Sequence, residues 1–295
     1  MVRLRDLPVK LLLLGLAFLA GSASFVAAQD RTVDPTFLRR YLPDIKATAT
    51  EETSDSCLYK PLFGTGDAPT PIVRGVVRFG EMTIAPDGKC TSVSHPLEEQ
   101  IYVVMEGSGT LHYDQTILSV KKHDFVYLPA GVRHMLANSG SAPLRFIEMG
   151  FRLQETPPAP LKPMVSNFDD IPKQVLSSHP DSVTYQLLMG DTNSKRDRLA
   201  AAHVLTSLFI MEFAPGGTNF PHHHDAEEEI YLLLDGSGEM VAGSGMDGLQ
   251  ARFPAKPGDA YFFRLNCTVG FYNGKQGPAH ILAVRSLYPR DKAQN

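Results

Sequence analysis

The sequence predicts an all-β protein built from two copies of one small sandwich or barrel module, with few short helices. Two observations carry this reading. First, residues 82–109, "MTIAPDGKCTSVSHPLEEQIYVVMEGSG", align without a gap with residues 211–238, "MEFAPGGTNFPHHHDAEEEIYLLLDGSG", at a constant offset of 129. "HDFVYLPAGVRHMLAN" (123–138) aligns likewise with "GDAYFFRLNCTVGFYN" (258–273) at an offset of 135, the six extra residues falling in the loop "AGSGMDG". Self-similarity of this kind means one folding unit used twice. Second, short apolar and β-branched runs (101–105, 125–128, 144–149; then 230–234, 260–263, 281–284) are separated by Gly, Pro, Asn and Asp turns. That spacing favours a sandwich or barrel over a parallel sheet with crossover helices.

Along the chain, Arg3, Arg5 and Lys10 precede the apolar stretch "LLLLGLAFLA" (11–20), and Val26 and Ala28 sit at the small-residue positions of a signal-peptidase site. Residues 1–28 therefore read as a signal peptide, with an uncleaved anchor as the alternative, and the mature protein as periplasmic or extracellular with no stable membrane span. Residues 29–54 form an N-terminal extension in which "DPTFLRRYL" (34–42) has an N-cap Asp, an early Pro and helical apolar spacing, so a short helix is expected there. Module one covers 55–152. A connecting segment, 153–182, opens with the Pro-rich "LQETPPAPLKP" (153–163), which cannot sustain strand hydrogen bonding. Module two covers 183–289, and 290–295 is a tail.

Without residues 1–28 the chain carries 25 basic and 31 acidic side chains, a net charge of −6. No basic stripe is present to neutralise phosphates, which argues against a nucleic-acid partner. The three cysteines, Cys57, Cys90 and Cys267, fit no zinc spacing. Cys57 and Cys90 are either a disulfide or buried free thiols.

"FPHHHDAEEEIYLLLDGSG" (220–238) is the stretch richest in chemistry. With 220–224 and 229–234 as successive strands, alternation puts His222 and His224 on one face and His223 on the other. Glu229, Tyr231 and Leu233 share a face that can be the same one. Two imidazoles and a carboxylate then form a 2-His-1-carboxylate set with open metal positions; the alternative is a solvated His/Glu loop. Glu227 and Glu228 are expected in the turn, facing solvent. Ile230, Leu232 and Leu234 point the other way and need cover from a second subunit, the second sheet or the other module. Tyr231 and Tyr272 are candidate hydrogen-bond donors or acids, and Arg264 a candidate carboxylate clamp.

H-x-H, four residues, E, six residues, G is similar to the first cupin motif, and "PHHHDAEEEIYLLLDG" (221–236) fits it. "HDFVYLPAGVRHMLAN" resembles the second cupin motif with His123 in place of its leading Gly. The chain thus resembles a bicupin, which implies two cupin (double-stranded β-helix, or jelly-roll) barrels, each able to hold one metal ion. Copy one keeps His95 and His134 but has Val93 and Gln100 at the other ligand positions, so His95, Gln100 and His134 form at best a weak second site. Copy two keeps His222, His224 and Glu229, with Val269 at the fourth position, Arg264 for the motif Pro and Asn266 for the Gly. His280 aligns with Arg145 and is expected to point outward.

Residues 258–272 and the closing "SLYPR" resemble the C-terminal module of (S)-ureidoglycine aminohydrolases, which implies ammonia release with manganese. That family's ligands are Glu, His, His and Gln, against His222, His224, Glu229 and Val269 here. The 2-His-1-Glu set is similar also to iron-dependent cupin dioxygenases. The resemblance therefore implies one divalent metal in module two, manganese or iron favoured over zinc or nickel. It implies a metal-dependent enzyme, hydrolytic on a small polar or anionic metabolite. The alternatives are a dioxygenase or a non-catalytic small-ligand-binding bicupin, and a homo-oligomer is one of the three ways the apolar outer residues could be covered.

Overall fold

The structure, a computed structural model, describes residues 35–158, 164–177, 179–243 and 250–289. The predicted signal peptide and the C-terminal tail lie outside the described residues. Nineteen strands follow in chain order: β1 (Phe37–Tyr41), β2 (Cys57–Gly64), β3 (Val76–Ile84), β4 (Glu98–Glu106), β5 (Ser108–Tyr113), β6 (Thr116–Lys121), β7 (Asp124–Leu128), β8 (His134–Ala137), β9 (Leu144–Arg152), β10 (Met164–Asn167), β11 (Val183–Asp191), β12 (Leu199–Ala202), β13 (Leu205–Phe213), β14 (Glu227–Asp235), β15 (Gly238–Gly243), β16 (Gln250–Ala255), β17 (Asp259–Phe263), β18 (Thr268–Asn273) and β19 (Ala279–Leu287). Two 3-10 turns, at 42–44 and 168–170, are the helical elements among the described residues, and no helix there is long and apolar enough to cross a membrane.

Each module is a sandwich. In module one the sheet β10-β7-β4-β9-β3-β2 faces β6-β5-β8, and in module two β1-β17-β14-β19-β13-β11-β12 faces β16-β15-β18. Alternation along the strands gives each large sheet two buried faces. The inner faces enclose separate cores, one around Tyr102, Val126 and Phe146, the other around Tyr231, Phe263 and Phe271. The outer faces pack back to back in a third cluster containing Ile101, Val103 and Phe125 of module one and Ile230, Leu232 and Phe262 of module two. The cover that Ile230 and Leu232 require is therefore the other module.

Carboxylates clasp this interface reciprocally. Glu99 accepts backbone N–H bonds from His203, Val204 and Leu205 at 2.8–2.9 Å and the Tyr127 hydroxyl at 3.0 Å. Its counterpart in copy two, Glu228, accepts from Arg74 and Gly75 at 2.8 Å and from Val76 at 3.2 Å. The expectation that Glu227 and Glu228 face solvent is corrected here. Both lie in β14 rather than in a turn, Glu228 is buried, and Glu227 bonds to Arg285 at 3.2 Å and to the Thr206 hydroxyl. Glu228 alternates with the inward-facing Glu229, so the module interface rather than water is what it meets.

The expected helix at 34–42 is a strand. Residues 37–41 pair antiparallel with β17, Phe37 opposite Phe263, because the exposed edge of β17 offers a ladder that so short a helix cannot match. β10, in the connecting segment, pairs with β7 of module one in the same way. The two arms are thus exchanged between modules. Each returns to its own module through an isolated bridge, Thr48 to Tyr59 and Gln174 to Tyr185, an offset of 126 in both partners. The repeat therefore extends through the extension and the connecting segment, and "DSCLYKPLFG" (55–64) against "DSVTYQLLMG" (181–190) is its sequence trace.

Cys57 and Cys90 form a disulfide across a sequence separation of 33. Closing a loop of that length in the unfolded chain stabilises the fold by about 3–4 kcal/mol. Reduction is expected to lower the unfolding free energy measured in urea by that amount and to leave a Cys57→Ser/Cys90→Ser protein unaffected. A loss under about 1 kcal/mol would mean that the unfolded chain is already compact there. Cys267 is buried, its thiol 3.5 Å from the Gly243 carbonyl oxygen.

Candidate metal centre

In module two, residues 222–224 run beside β18. His222 and Val269 exchange backbone bonds at 2.9 and 2.8 Å, and the Asn266 N–H donates to the His224 carbonyl at 2.9 Å. Glu229 lies opposite Phe263 on one side and Arg285 on the other. Ligand atoms of His222, His224 and Glu229 all fall within 4.8 Å of one another. The two imidazoles are perpendicular with ring centres 5.1 Å apart, and His224 Nε2 is 3.3 Å from Glu229 Oε2.

Three further observations fit this set to a cation. His222 Nδ1 lies 2.9 Å from the Phe220 carbonyl oxygen, which holds the proton on Nδ1 and leaves Nε2 as the donor atom. Phe220 adopts a φ of 52° to present that carbonyl, the kind of backbone strain that persists where surrounding structure requires it. His224 Nε2 and Glu229 Oε2 are buried yet make no hydrogen bond, a costly state that a bound cation would relieve.

The three side chains line one wall of a cavity of about 630 Å³. Tyr231 shares it as expected. Its hydroxyl accepts from Asn219 Nδ2 at 3.2 Å, and burial followed by the Glu229 charge pushes the phenol well above its usual pKa. Tyr231 is therefore a neutral, protonated wall group whose hydroxyl proton is not used in the Asn219 bond. Arg264 and Tyr272 are not brought to the cavity. Phe263 and Phe271 take the inward positions, so their successors turn away. The Arg264 N–H donates to the Thr36 carbonyl of the arm at 3.2 Å, and the Tyr272 ring lies under the Arg252 guanidinium, 4.2 Å from it. His280 points outward as expected, bonding to Asp235 and Glu212 at 2.7 and 2.8 Å.

The cavity brings in groups that sequence reasoning missed. Arg285, on β19, sits with Nη1 3.5 Å from His224 Nδ1 and Nε 4.0 Å from Glu229 Oε1. Arg196 donates to the Ser207 hydroxyl at 3.2 Å. His179, carried in by the returning arm, stands edge-on to Tyr185 at 5.0 Å and to His222 at 6.1 Å between ring centres. Burial, then the neighbouring His222, pushes its pKa down.

Module one is built differently, and there a second group, Glu51, Glu52 and His95, brings ligand atoms within 4.8 Å of one another. Arg78, 3 % exposed, fills the corresponding space. Its Nε lies 2.6 Å from Glu98 Oε1, its Nη1 3.0 Å from Glu52 Oε1 and its Nη2 2.9 Å from Glu51 Oε1, with Glu148 at 3.7 Å. Of the three expected weak-site residues, His95 Nε2 is 2.7 Å from Glu52 Oε1 and Gln100 Nε2 is 3.1–3.2 Å from Glu52, Glu98 and Glu148. His134 Nε2 is 3.1 Å from the Tyr102 hydroxyl. Burial and then the adjacent Glu52 carboxylate push Glu148 well above the carboxylate range. Burial opposes ionisation of Glu52 too, but bonds from Glu148 and His95 and the Arg78 charge hold it below that range. Only about 10 Å³ is left open.

An exchange of arginines separates the two copies. Arg78 aligns with Ser207, and Gly150 with Arg285. A Cβ on Gly150 would lie 1.9 Å from Glu98 Oε1, so that glycine makes room for the carboxylate Arg78 binds. In module two the arginine instead rises from β19, pairs with Glu227 and leaves the space above Glu229 open.

The Cupin domain family matches residues 80–150 and 209–285. Among curated proteins, an uncharacterized protein of Methanocaldococcus jannaschii is 34% identical over 77 residues, 26% of this chain and 62% of that protein. The alginate biosynthesis protein AlgA of Pseudomonas aeruginosa is 25% identical over 128 residues, 43% of this chain and a quarter (25%) of its own length. Among solved structures, a putative glyoxylate-induced protein from Pseudomonas aeruginosa aligns over 90% of this chain and 96% of its own, at 17% identity and a TM-score of 0.70. The oxalate decarboxylase of Bacillus subtilis, a protein with Mn(II) centres, aligns over 88% of this chain and 79% of its own, at 13% identity and a TM-score of 0.65. At these identities the structural likeness is one of fold.

Proposed function

This chain belongs to the cupin domain family, and from that premise we propose that its second module is a divalent-metal-dependent enzyme acting on a small anionic metabolite. The observation that carries the reading is the converging set of His222, His224 and Glu229, with two buried donor atoms that bond to nothing else. Two imidazoles and one carboxylate suit manganese or iron and admit zinc or nickel. When bound, the ion supplies a Lewis acid for a substrate oxygen or a water of lowered pKa.

The chain's own residues do the rest. The Phe220 carbonyl fixes the His222 tautomer, and Asn219 and Tyr231 form a neutral hydrogen-bonding wall. Arg285, beside Glu229, takes the anion-binding role that the sequence suggested for Arg264. A hydrolytic or deaminating reaction is the first reading. The 2-His-1-carboxylate composition favours oxygenation as the second. The Cys57–Cys90 disulfide supports an oxidising compartment, in keeping with export of the mature chain.

The test is elemental analysis of the full chain purified without metal-chelate chromatography, beside His224→Ala. The expected result is about one equivalent per chain, lost in the variant and not replaced by binding in module one. Oxygen uptake during turnover would then select the oxygenase reading. No metal in the wild type even after reconstitution would refute metal dependence and leave a ligand-binding module.

A further inference from the structure

The module-two cavity contains more than the metal set, and its chemistry is divided. Ser207, Arg285 and Glu229 lie directly opposite one another on β13, β19 and β14, so they form one row on the same face of the sheet. Arg196 reaches this row through the Ser207 hydroxyl. The next rows along β13 are apolar: Phe209 and then Met211 line the cavity beside Leu187. The returning arm adds Leu176 to the cavity wall, and Phe220 stands at its lip, 57 % exposed. A charged end therefore adjoins the metal set, and a largely apolar trough, with Tyr185, Tyr231 and Asn219 as its neutral polar groups, leads away from it.

Charge decides which anion fits the polar end. Arg285 is paired with Glu227 at 3.2 Å, and Arg196 with the buried Asp197 at 3.4 Å. Each guanidinium is thus offset once. A dication on Glu229 and two neutral imidazoles leaves a single positive charge. A monoanion matches that charge, and a second negative charge would go uncompensated.

Resting on the metal-centre reading above, we propose that the substrate is a monocarboxylate with an apolar aliphatic or aromatic body. Its carboxylate meets Arg285 and the Arg196–Ser207 pair, which places the atoms next to the carboxylate at the metal set. Its body lies along Phe209, Met211 and Leu187 beneath Leu176. A short dicarboxylate would satisfy neither the charge balance nor the trough. A cavity of about 630 Å³ is also far larger than such a ligand needs, within the roughly 300–1,000 Å³ of small-molecule sites.

The experiment is titration calorimetry on the full chain reconstituted with Mn²⁺, its metal content measured on the same sample. The probes are hexanoate, phenylacetate, acetate and oxalate. Hexanoate or phenylacetate is expected to bind at least tenfold more tightly than acetate and oxalate. Arg196→Met, remote from the metal set, is expected to weaken hexanoate binding severalfold at unchanged metal content. Met211→Gln is expected to weaken hexanoate while sparing acetate. Oxalate binding as tightly as hexanoate, or hexanoate binding indifferent to both substitutions, would overturn the proposal. Metal-free protein after reconstitution would instead defeat the metal-centre reading beneath it.

Discussion

Arg78→Ala is expected to cost module one roughly 3–5 kcal/mol of stability, the scale on which breaking one side of a buried ion pair is felt. The guanidinium is the cation that three neighbouring carboxylates, Glu51, Glu52 and Glu98, share within 2.6–3.0 Å. Removing it strands the buried pair Glu52 and Glu98 with Gln100, His95 and the Glu148 carboxyl as polar company but no cation. Urea unfolding at neutral pH is the measurement. The deficit relative to wild type should shrink as pH falls through the carboxylate range. Carboxylates left without their cation have raised folded pKa values, so protonating them restores stability from the low-pH side. His134, which burial pushes from 6.5 down to about 4, removes stability from both proteins as pH falls from 6.5 towards 4. The Arg78 charge contributes to that lowering, so the variant loses less there and the deficit narrows further. A deficit below about 1 kcal/mol at neutral pH would mean that the carboxylates are already protonated and that Arg78 is not their counter-charge.

The clasp between modules gives the second large effect. Glu99→Ala leaves the N–H groups of His203, Val204 and Leu205 without their acceptor, and Glu228→Ala does the same to Arg74, Gly75 and Val76. At about 1–3 kcal/mol for each buried group left unsatisfied, partly repaid by entering water, each substitution should cost roughly 3 kcal/mol. The double variant carries the more specific expectation. With both carboxylates gone, the back-to-back cluster and the two exchanged arms must hold the modules together, and unfolding should separate into two steps. Far-UV and near-UV circular dichroism followed in parallel read this directly. Coincident transitions in the double variant would show that the apolar cluster and the exchanged arms suffice to couple the modules.

How much was legible in the sequence differs from residue to residue. His222, His224 and Glu229 could be read because their relation is local. Strand alternation across one hairpin turns spacing into a shared face. Val269 and His280 are placed by alignment between the copies, and Tyr231, the tyrosine of the motif strand, by the same alternation as Glu229. Arg264 and Tyr272 were misjudged for a related reason. Each follows an inward-facing aromatic, so one residue of phase separates the cavity from the outer surface. Glu228 was misjudged because alternation says which side a side chain takes, and not whether that side meets water or another module. Residues 37–41 read as helical from local signals, an N-cap Asp, an early Pro and apolar spacing, while the edge of β17 that makes them a strand is more than two hundred positions away in the chain.

By itself, the sequence determined the all-β class, the internal duplication and the convergence of two imidazoles with a carboxylate in the second copy. These depend on periods and offsets that any residue carries with its neighbours. Only the tertiary structure decided that the arms are exchanged, that Glu99 and Glu228 join the modules, and that an arginine closes one centre while another flanks the open one. Arg78 and Arg285 come from different strands and reach equivalent carboxylates, Glu98 and Glu227, across the sheet. Their effect depends on which pieces of chain lie opposite, a distance in space that linear order does not encode.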